Sequence, residues 1–128
     1  MEFLSHHAIY LQIADQVCES ILTEKWQYDN KILSVRDMAV QIEVNPNTVA
    51  RAYSHLQEKG IIINKRGLGY FITKDAMAIT LREKQEAFKK TELPRIFNMM
   101  RLLNIEPEAI EELYTSYLQQ NGGDNENE

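Results

Sequence analysis

Asn45, Pro46, Asn47, Thr48 and Arg51, inside EVNPNTVARAY (residues 43–53), form the densest run of side chains in the chain with recognition chemistry. Asn followed by Pro starts a helix. The Asn side chain accepts from first-turn N–H groups, and Pro loses nothing at the first helical position, where an N–H has no intrahelical partner. Val49, Tyr53 and Leu56 recur at helical spacing behind this start and would seat the helix in a core. Asn47, Thr48 and Arg51 are then turned outward, with Arg51 an i+4 neighbour of Asn47 and an i+3 neighbour of Thr48. A helix start also offers free N–H groups to anions. Amide, hydroxyl and guanidinium side chains beside such a start suit a polyanion whose groove edges carry patterned donors and acceptors, which is the chemistry of duplex DNA.

Three helices and a hairpin must position these groups. Ile9, Ile13, Val17 and Ile21, with Ala14 and Leu22 widening the stripe, predict an amphipathic helix over 8–24. WQYDNK follows as a turn in which Asn30 suits a positive φ, and ILS is a short extended piece. Ser34-Val-Arg-Asp approximates a capping box for a second helix over 35–43, with Met38, Ala39 and Ile42 facing the core. The helix introduced by Asn45 runs over 46–59 and stops at Gly60. IIIN and YFIT around the glycine turn KRGLG predict a hairpin over 61–73. The fold expected is mainly α with a small β-hairpin, a winged helix-turn-helix, followed by a short C-terminal helical region. Trp26, Tyr28 and Tyr70 are expected to pack its core, as is Cys18.

The net charge of -5 argues at first against a nucleic-acid partner, but the charge is unevenly distributed. Residues 36–74 carry a net +3 and residues 76–128 a net -4, so the positive charge is concentrated in one segment and the acidic excess lies elsewhere. No apolar run approaches the ~18 residues of a membrane span, and MEFLSHHAIY lacks a basic start, so the expected compartment is the cytoplasm with no membrane partner. No nucleophile with a paired base and no phosphate-cradling glycine loop occurs, so no enzyme is expected. His6 and His7 with one distant cysteine do not make a metal site, and no cofactor is expected.

From SVRDMAVQIEVNPNTVARAYSHLQEKGIIINKRGLGYFI (residues 34–72) back through AIYLQIADQV, the chain resembles the N-terminal DNA-binding domain of the GntR family of bacterial transcription regulators. It departs from the family pattern at Leu33, where PSVR has proline, and at Asn30 and Glu43, where two turns have glycine. The resemblance implies that Arg36, Asn45, Asn47, Thr48, Arg51, and Arg66 with Gly67 touch DNA. By chemistry, Asn47 and Arg51 suit base edges and Thr48 a phosphate. Arg36 suits either, and Arg66 suits the minor groove, with Gly67 allowing close approach. Lys65 is a weaker phosphate candidate. Several of these residues have structural alternatives: Asn45 as a cap only, Thr48 as first-turn support, and Arg36 and Arg51 as solvated surface; His55, four residues after Arg51, is expected as an exposed helix histidine, with approach to a phosphate as its alternative.

The domains expected are residues 1–75 for DNA binding, 76–120 for dimerisation, and 121–128 as a disordered acidic tail. Asp75 can cap a helix from Ala76 through Lys90, Pro94 interrupts the helical run, and Pro107 starts another helix. Ile96, Phe97, Met100 and Leu103, then Ile110, Leu113, Tyr114 and Tyr117, make apolar faces too broad for the short helices to cover, so a second copy of the chain is the expected cover. So short a tail does not enclose a metabolite pocket of roughly 300 Å³. A small-molecule effector stays open only as a ligand against Met99 and Met100 between protomers. This tail resembles the YtrA-like subfamily, which implies a homodimeric repressor of an operon that encodes a transporter, acting on a near-palindromic double-stranded DNA operator. The alternative from another class is a winged-helix module that binds a protein.

Overall fold

The computed structural model describes residues 8–126, so His6 and His7 lie outside the described residues. The chain divides into two compact units, Met1–Gln85 and Glu86–Glu128. The first holds α1 (Ile9–Leu22), α2 (Val35–Ile42), α3 (Pro46–Glu58), β1 (Ile62–Lys65), β2 (Gly69–Ile72) and most of α4 (Ala76–Ala87). It is a winged helix-turn-helix, as expected.

Its core forms where the stripes of the three helices meet the hairpin. Ile13, Ala14, Val17, Cys18 and Ile21 of α1 and Met38 and Ala39 of α2 are buried around Val49, Ala52, Tyr53 and Leu56 of α3, with Ile61, Ile62 and Ile72 closing the wing side. The four α3 residues are 0% exposed. At ~1.5–3 kcal/mol for each large apolar side chain buried, this seating sets the rotation of α3 and hence the face it presents. Tyr53 adds a polar anchor: its hydroxyl donates to the Leu33 carbonyl at 2.7 Å and its ring meets Tyr70 edge-on at 4.9 Å. Burial pushes its phenol pKa well up, so it stays a neutral donor.

Three local expectations are corrected. Ile9 is 57% exposed because the core reaches only as far as the second turn of α1. Tyr28 is exposed, whereas Trp26 and Tyr70 do pack on the core. The positive φ falls on Asp29 (φ 68) and not on Asn30, whose side-chain oxygen accepts from the Gln27 N–H at 2.8 Å to close the turn.

The hairpin pairs Ile62 with Ile72 through Lys65 with Gly69. The extended piece before α2 joins it: Lys31 bridges Phe71, and the Ile32 N–H donates to the Tyr70 carbonyl at 3.0 Å. The expected domain boundary at residue 75 moves to residue 85, because the first turns of α4 pack on the winged unit. Ala76 and Thr80 are buried, Lys84 meets Asp15 at 3.0 Å and Lys59 meets Glu83 at 2.9 Å.

The second unit holds a π-helical turn over Phe88–Glu92, α5 (Leu93–Leu103) and α6 (Pro107–Glu126). Helix α4 stops at Ala87, short of the expected Lys90, and the wide turn lies just before Pro94. Proline offers no N–H and crowds the carbonyl four residues back, and a π turn relieves both demands. α5 ends on Asn104 in the left-handed region (φ 56), and the Ile105 N–H returns to the Met100 carbonyl at 2.9 Å. α6 continues to Glu126, into the stretch expected as a disordered tail, with the Asn121 amide donating to the Tyr117 carbonyl at 3.0 Å; residues 127–128 lie outside the described residues.

Candidate nucleic-acid interface

α2 and α3 are joined by a tight turn through Glu43 and Val44. Glu43 occupies the left-handed region (φ 57, ψ 48), and the Val44 N–H donates to the Ala39 carbonyl at 3.0 Å. The turn has the geometry a glycine would give, at the strain of a side chain in that region. α2 is capped by Ser34, whose hydroxyl accepts from the Asp37 N–H at 3.0 Å. Among the described residues the N–H groups of Val35 and Arg36 have no such acceptor, and the Arg36 side chain is exposed beside them.

The start of α3 differs from its expectation. Asn45 caps it, with Oδ1 accepting from the Asn47 N–H at 2.7 Å, and the Asn45 carbonyl accepts from Thr48 at 2.9 Å and Val49 at 3.2 Å. Pro46 has no N–H to offer. The free backbone donors expected here are therefore already used internally, and what the start of α3 offers outward is side chains. Asn47 and Arg51 are exposed and Thr48 is half-buried. With Val49, Ala52, Tyr53 and Leu56 inward, the opposite face at 100° per residue carries Asn47, Arg51, Ser54 and Glu58, all exposed. Ser54 was overlooked in the sequence although its spacing from Arg51 would have identified it. Ala50, half-buried beside this stripe, is small enough to admit a thymine methyl.

Arg51 does not project freely. Its guanidinium carbon lies 4.0 Å above the centre of the Tyr10 ring, supplied by α1, and His55 meets the same ring edge-on at 5.8 Å. His55, expected as exposed, is half-buried by this contact. The flat, weakly hydrated guanidinium stacks without losing its in-plane donors, so its fork stays available while its plane is held.

The wing gathers a second cluster. Lys65 is tied down: its ammonium pairs with Asp29 at 2.8 Å and lies 4.4 Å above the Phe71 ring. Arg66 and Gly67 form the exposed tip, where Gly67 (φ 79) meets open space and is required by its backbone angle, not by crowding. Lys31, unmarked in the sequence, lies along Gly69 (φ 117): a Cβ there would stand 3.0 Å from Lys31 Cε. The structure thus brings Asn45 to Asn47, Arg51 to Tyr10 and Lys65 to Asp29, while Arg36 and Arg66 make no ion pair among the described residues.

In the second unit Ile96, Phe97, Leu103, Ile110, Leu113, Tyr114 and Tyr117 are all exposed and Met100 is half-buried; no residue from Phe88 to Asn121 is buried. No group of three or more metal-ligating side chains and no helix long and apolar enough to cross a membrane occurs among the described residues.

Three kinds of similarity accompany this geometry. The family model for bacterial regulatory proteins of the gntR family matches residues 9–72. The uncharacterised HTH-type transcriptional regulator YhcF of Bacillus subtilis (strain 168) is 40% identical over 95 residues, covering 70% of this chain and 78% of that protein. The HTH-type transcriptional repressor YtrA of the same organism is 36% identical over 104 residues, covering 81% and 79%. Among solved structures, a GntR-family transcriptional regulator from Bacteroides thetaiotaomicron superimposes with a TM-score of 0.73 at 38% identity, covering 89% of this chain and 99% of that one.

Proposed function

Because the chain belongs to the GntR family of bacterial transcription regulators, a DNA-binding family of non-enzymes, we propose that it is a homodimeric repressor that reads a near-palindromic operator. The observation that carries this reading is the stripe Asn47, Arg51, Ser54 on a helix locked by four fully buried residues, with Arg51 held flat on Tyr10. Asn47 and Arg51 reach base edges in the major groove, Thr48 and Arg36 take phosphates, and Arg66 at the wing tip enters the adjacent minor groove. The name of the relative YtrA, which matches over most of both chains, supports repression over activation.

Self-association rests on the second unit. Helices with such apolar faces and no buried residue of their own do not persist in water without a partner surface, and a second copy offers an identical one. In such a dimer two α3 helices meet half-sites about 10 base pairs, or one further turn, apart. With three or four phosphates neutralised per protomer, log K falls against log salt with a slope near -6, at ~0.9 per phosphate.

Selection of bound fragments from random duplex DNA by the purified protein tests the reading. We expect two half-sites related by a dyad, and Arg51→Ala should flatten the preference at one position in each, at a cost of ~1–3 kcal/mol. Selection that enriches no sequence overturns it. Leu113→Glu places a charge in the proposed interface, so sedimentation should show monomers and the dyad should disappear. Mapping of the bound sites in the genome then tells whether the regulated genes encode a transporter.

A further inference from the structure

The cations of the wing do not have the roles their positions in the sequence suggest. Lys65 and Arg66 stand at the hairpin turn, whereas Lys31 lies before α2, more than thirty residues away. Tertiary structure brings all three to one hairpin, through the Lys31 to Phe71 bridge and the Lys65 to Gly69 pairing. Their surroundings then divide them. Lys65 has its carboxylate, Asp29, at 2.8 Å and its aromatic face, Phe71, at 4.4 Å. A phosphate that took this ammonium would share it with Asp29 and stand beside that carboxylate, so part of the attraction is offset by repulsion between the two anions. Lys31 is exposed, and among the described residues neither a hydrogen-bond partner nor an acid faces its ammonium. Its stem is supported by the bare backbone of Gly69, where any side chain would press on Lys31 Cε at 3.0 Å. Gly69 is required by its backbone angle, φ 117, and the same bare position lets the Lys31 side chain lie along it.

We propose that Lys31 is a phosphate-binding residue of the wing, while Lys65 braces the wing through Asp29. The ligand is the phosphodiester backbone of duplex DNA, and the inference rests on the DNA-binding reading above. Lys31 is a point charge on a guided stem, suited to a phosphate oxygen and not to base discrimination. Its contribution is therefore the same for every sequence and strongly dependent on salt.

The experiment measures binding of the full chain to its selected operator by fluorescence anisotropy from 50 to 200 mM salt, for the wild type and for Lys31→Met, Lys31→Arg, Lys65→Met and Arg66→Ala. Leaving one phosphate per protomer without its cation makes the slope shallower by about 2 for the dimer, so the fall in affinity across that salt range shrinks about twelve-fold. Lys31→Met should show this change with operator and random DNA alike and with an unaltered melting temperature, and Lys31→Arg should restore the slope. Lys65→Met should keep the wild-type slope and lower thermal stability. A wild-type slope in Lys31→Met, or a slope change in Lys65→Met equal to that expected for Lys31→Met, overturns the assignment even where Arg66→Ala shows that the wing meets DNA. A wild-type protein that binds no duplex overturns the DNA reading itself and this inference with it.

Discussion

Replacing Tyr10 with leucine removes the ring beneath Arg51 and keeps an apolar side chain on α1 facing α3; replacing it with phenylalanine keeps the ring. The guanidinium stands 4.0 Å from the ring centre at a site open to water, where such a contact contributes ~0.5–1 kcal/mol. If that energy holds the fork in its base-reading orientation, its loss lowers the preference for operator over random DNA by about two- to five-fold per half-site. A dimer with two half-sites compounds this to between about five- and thirty-fold. Competition anisotropy, operator against shuffled duplex, measures the ratio directly. Tyr10→Phe should stay near wild type. Combined with Arg51→Ala, Tyr10→Leu should have little further effect, because both changes remove one interaction. An increase in operator preference for Tyr10→Leu would refute the reasoning, since it would mean that the ring draws Arg51 away from the bases.

Two further outcomes follow from the backbone and the core. Glu43→Gly relieves a side chain in the left-handed region and removes a negative charge from the helix-turn-helix turn; stability should rise by ~1 kcal/mol, a melting shift of roughly 4–8 °C for a domain of this size, with tighter DNA binding. A lower melting temperature would show that Glu43 makes a contact worth more than the strain. Burial also raises the Cys18 pKa above its ordinary 9.0, so the folded chain holds the thiol proton after the unfolded chain has released it. The stability from this neutral thiol is fully present below 9.0 and is lost as pH rises through the folded value. Denaturant unfolding from pH 8 upward should therefore fall more steeply for the wild type than for Cys18→Ala, by at most one proton or ~1.4 kcal/mol per pH unit; parallel curves would contradict it.

What was legible in the sequence is what local rules decide. Asn45-Pro46 fixes a helix start, Gly60 a stop and KRGLG a hairpin turn, because caps and turns depend on neighbours within a few residues. Val49, Tyr53 and Leu56 of the α3 core followed from period alone, whereas the fourth, Ala52, did not stand out because its small side chain marks no stripe. What escaped notice joins distant segments: Tyr10 with Arg51, Asp29 with Lys65 and Lys31 with Gly69. Each pairing exists only after three helices and a hairpin have packed. The positive φ lies on Asp29, one residue before the position expected, while Asn30 closes the turn as an acceptor. The division near residue 85 was hidden because α4 reads as one uninterrupted helix, whereas its ion pairs, to Lys59 just past α3 and to Asp15 of α1, end with Lys84.

Saturation of the α3 start has a consequence for how affinity and discrimination are divided. A helix whose first N–H groups were free would bind phosphate with its backbone, adding affinity for every sequence. Here Asn45 and Pro46 leave none of the first-turn backbone donors unmet, so the α3 backbone adds little that is indifferent to sequence and only the Thr48 hydroxyl is left to do so. On the reading proposed above, sequence-independent attraction comes from cations on other elements: Arg36 beside the open N–H groups of α2, and Arg66 with Lys31 at the hairpin. Mutations of those residues should change the salt dependence and leave the ranking of operators intact, while mutations of Asn47 or Arg51 should reorder the ranking and leave the salt slope nearly unchanged. The net charge of -5 does not by itself oppose this division, because residues 36–74 carry a net +3 and salt screens exposed charges over ~8 Å, so the local balance of cations over acids counts for more than the whole-chain sum.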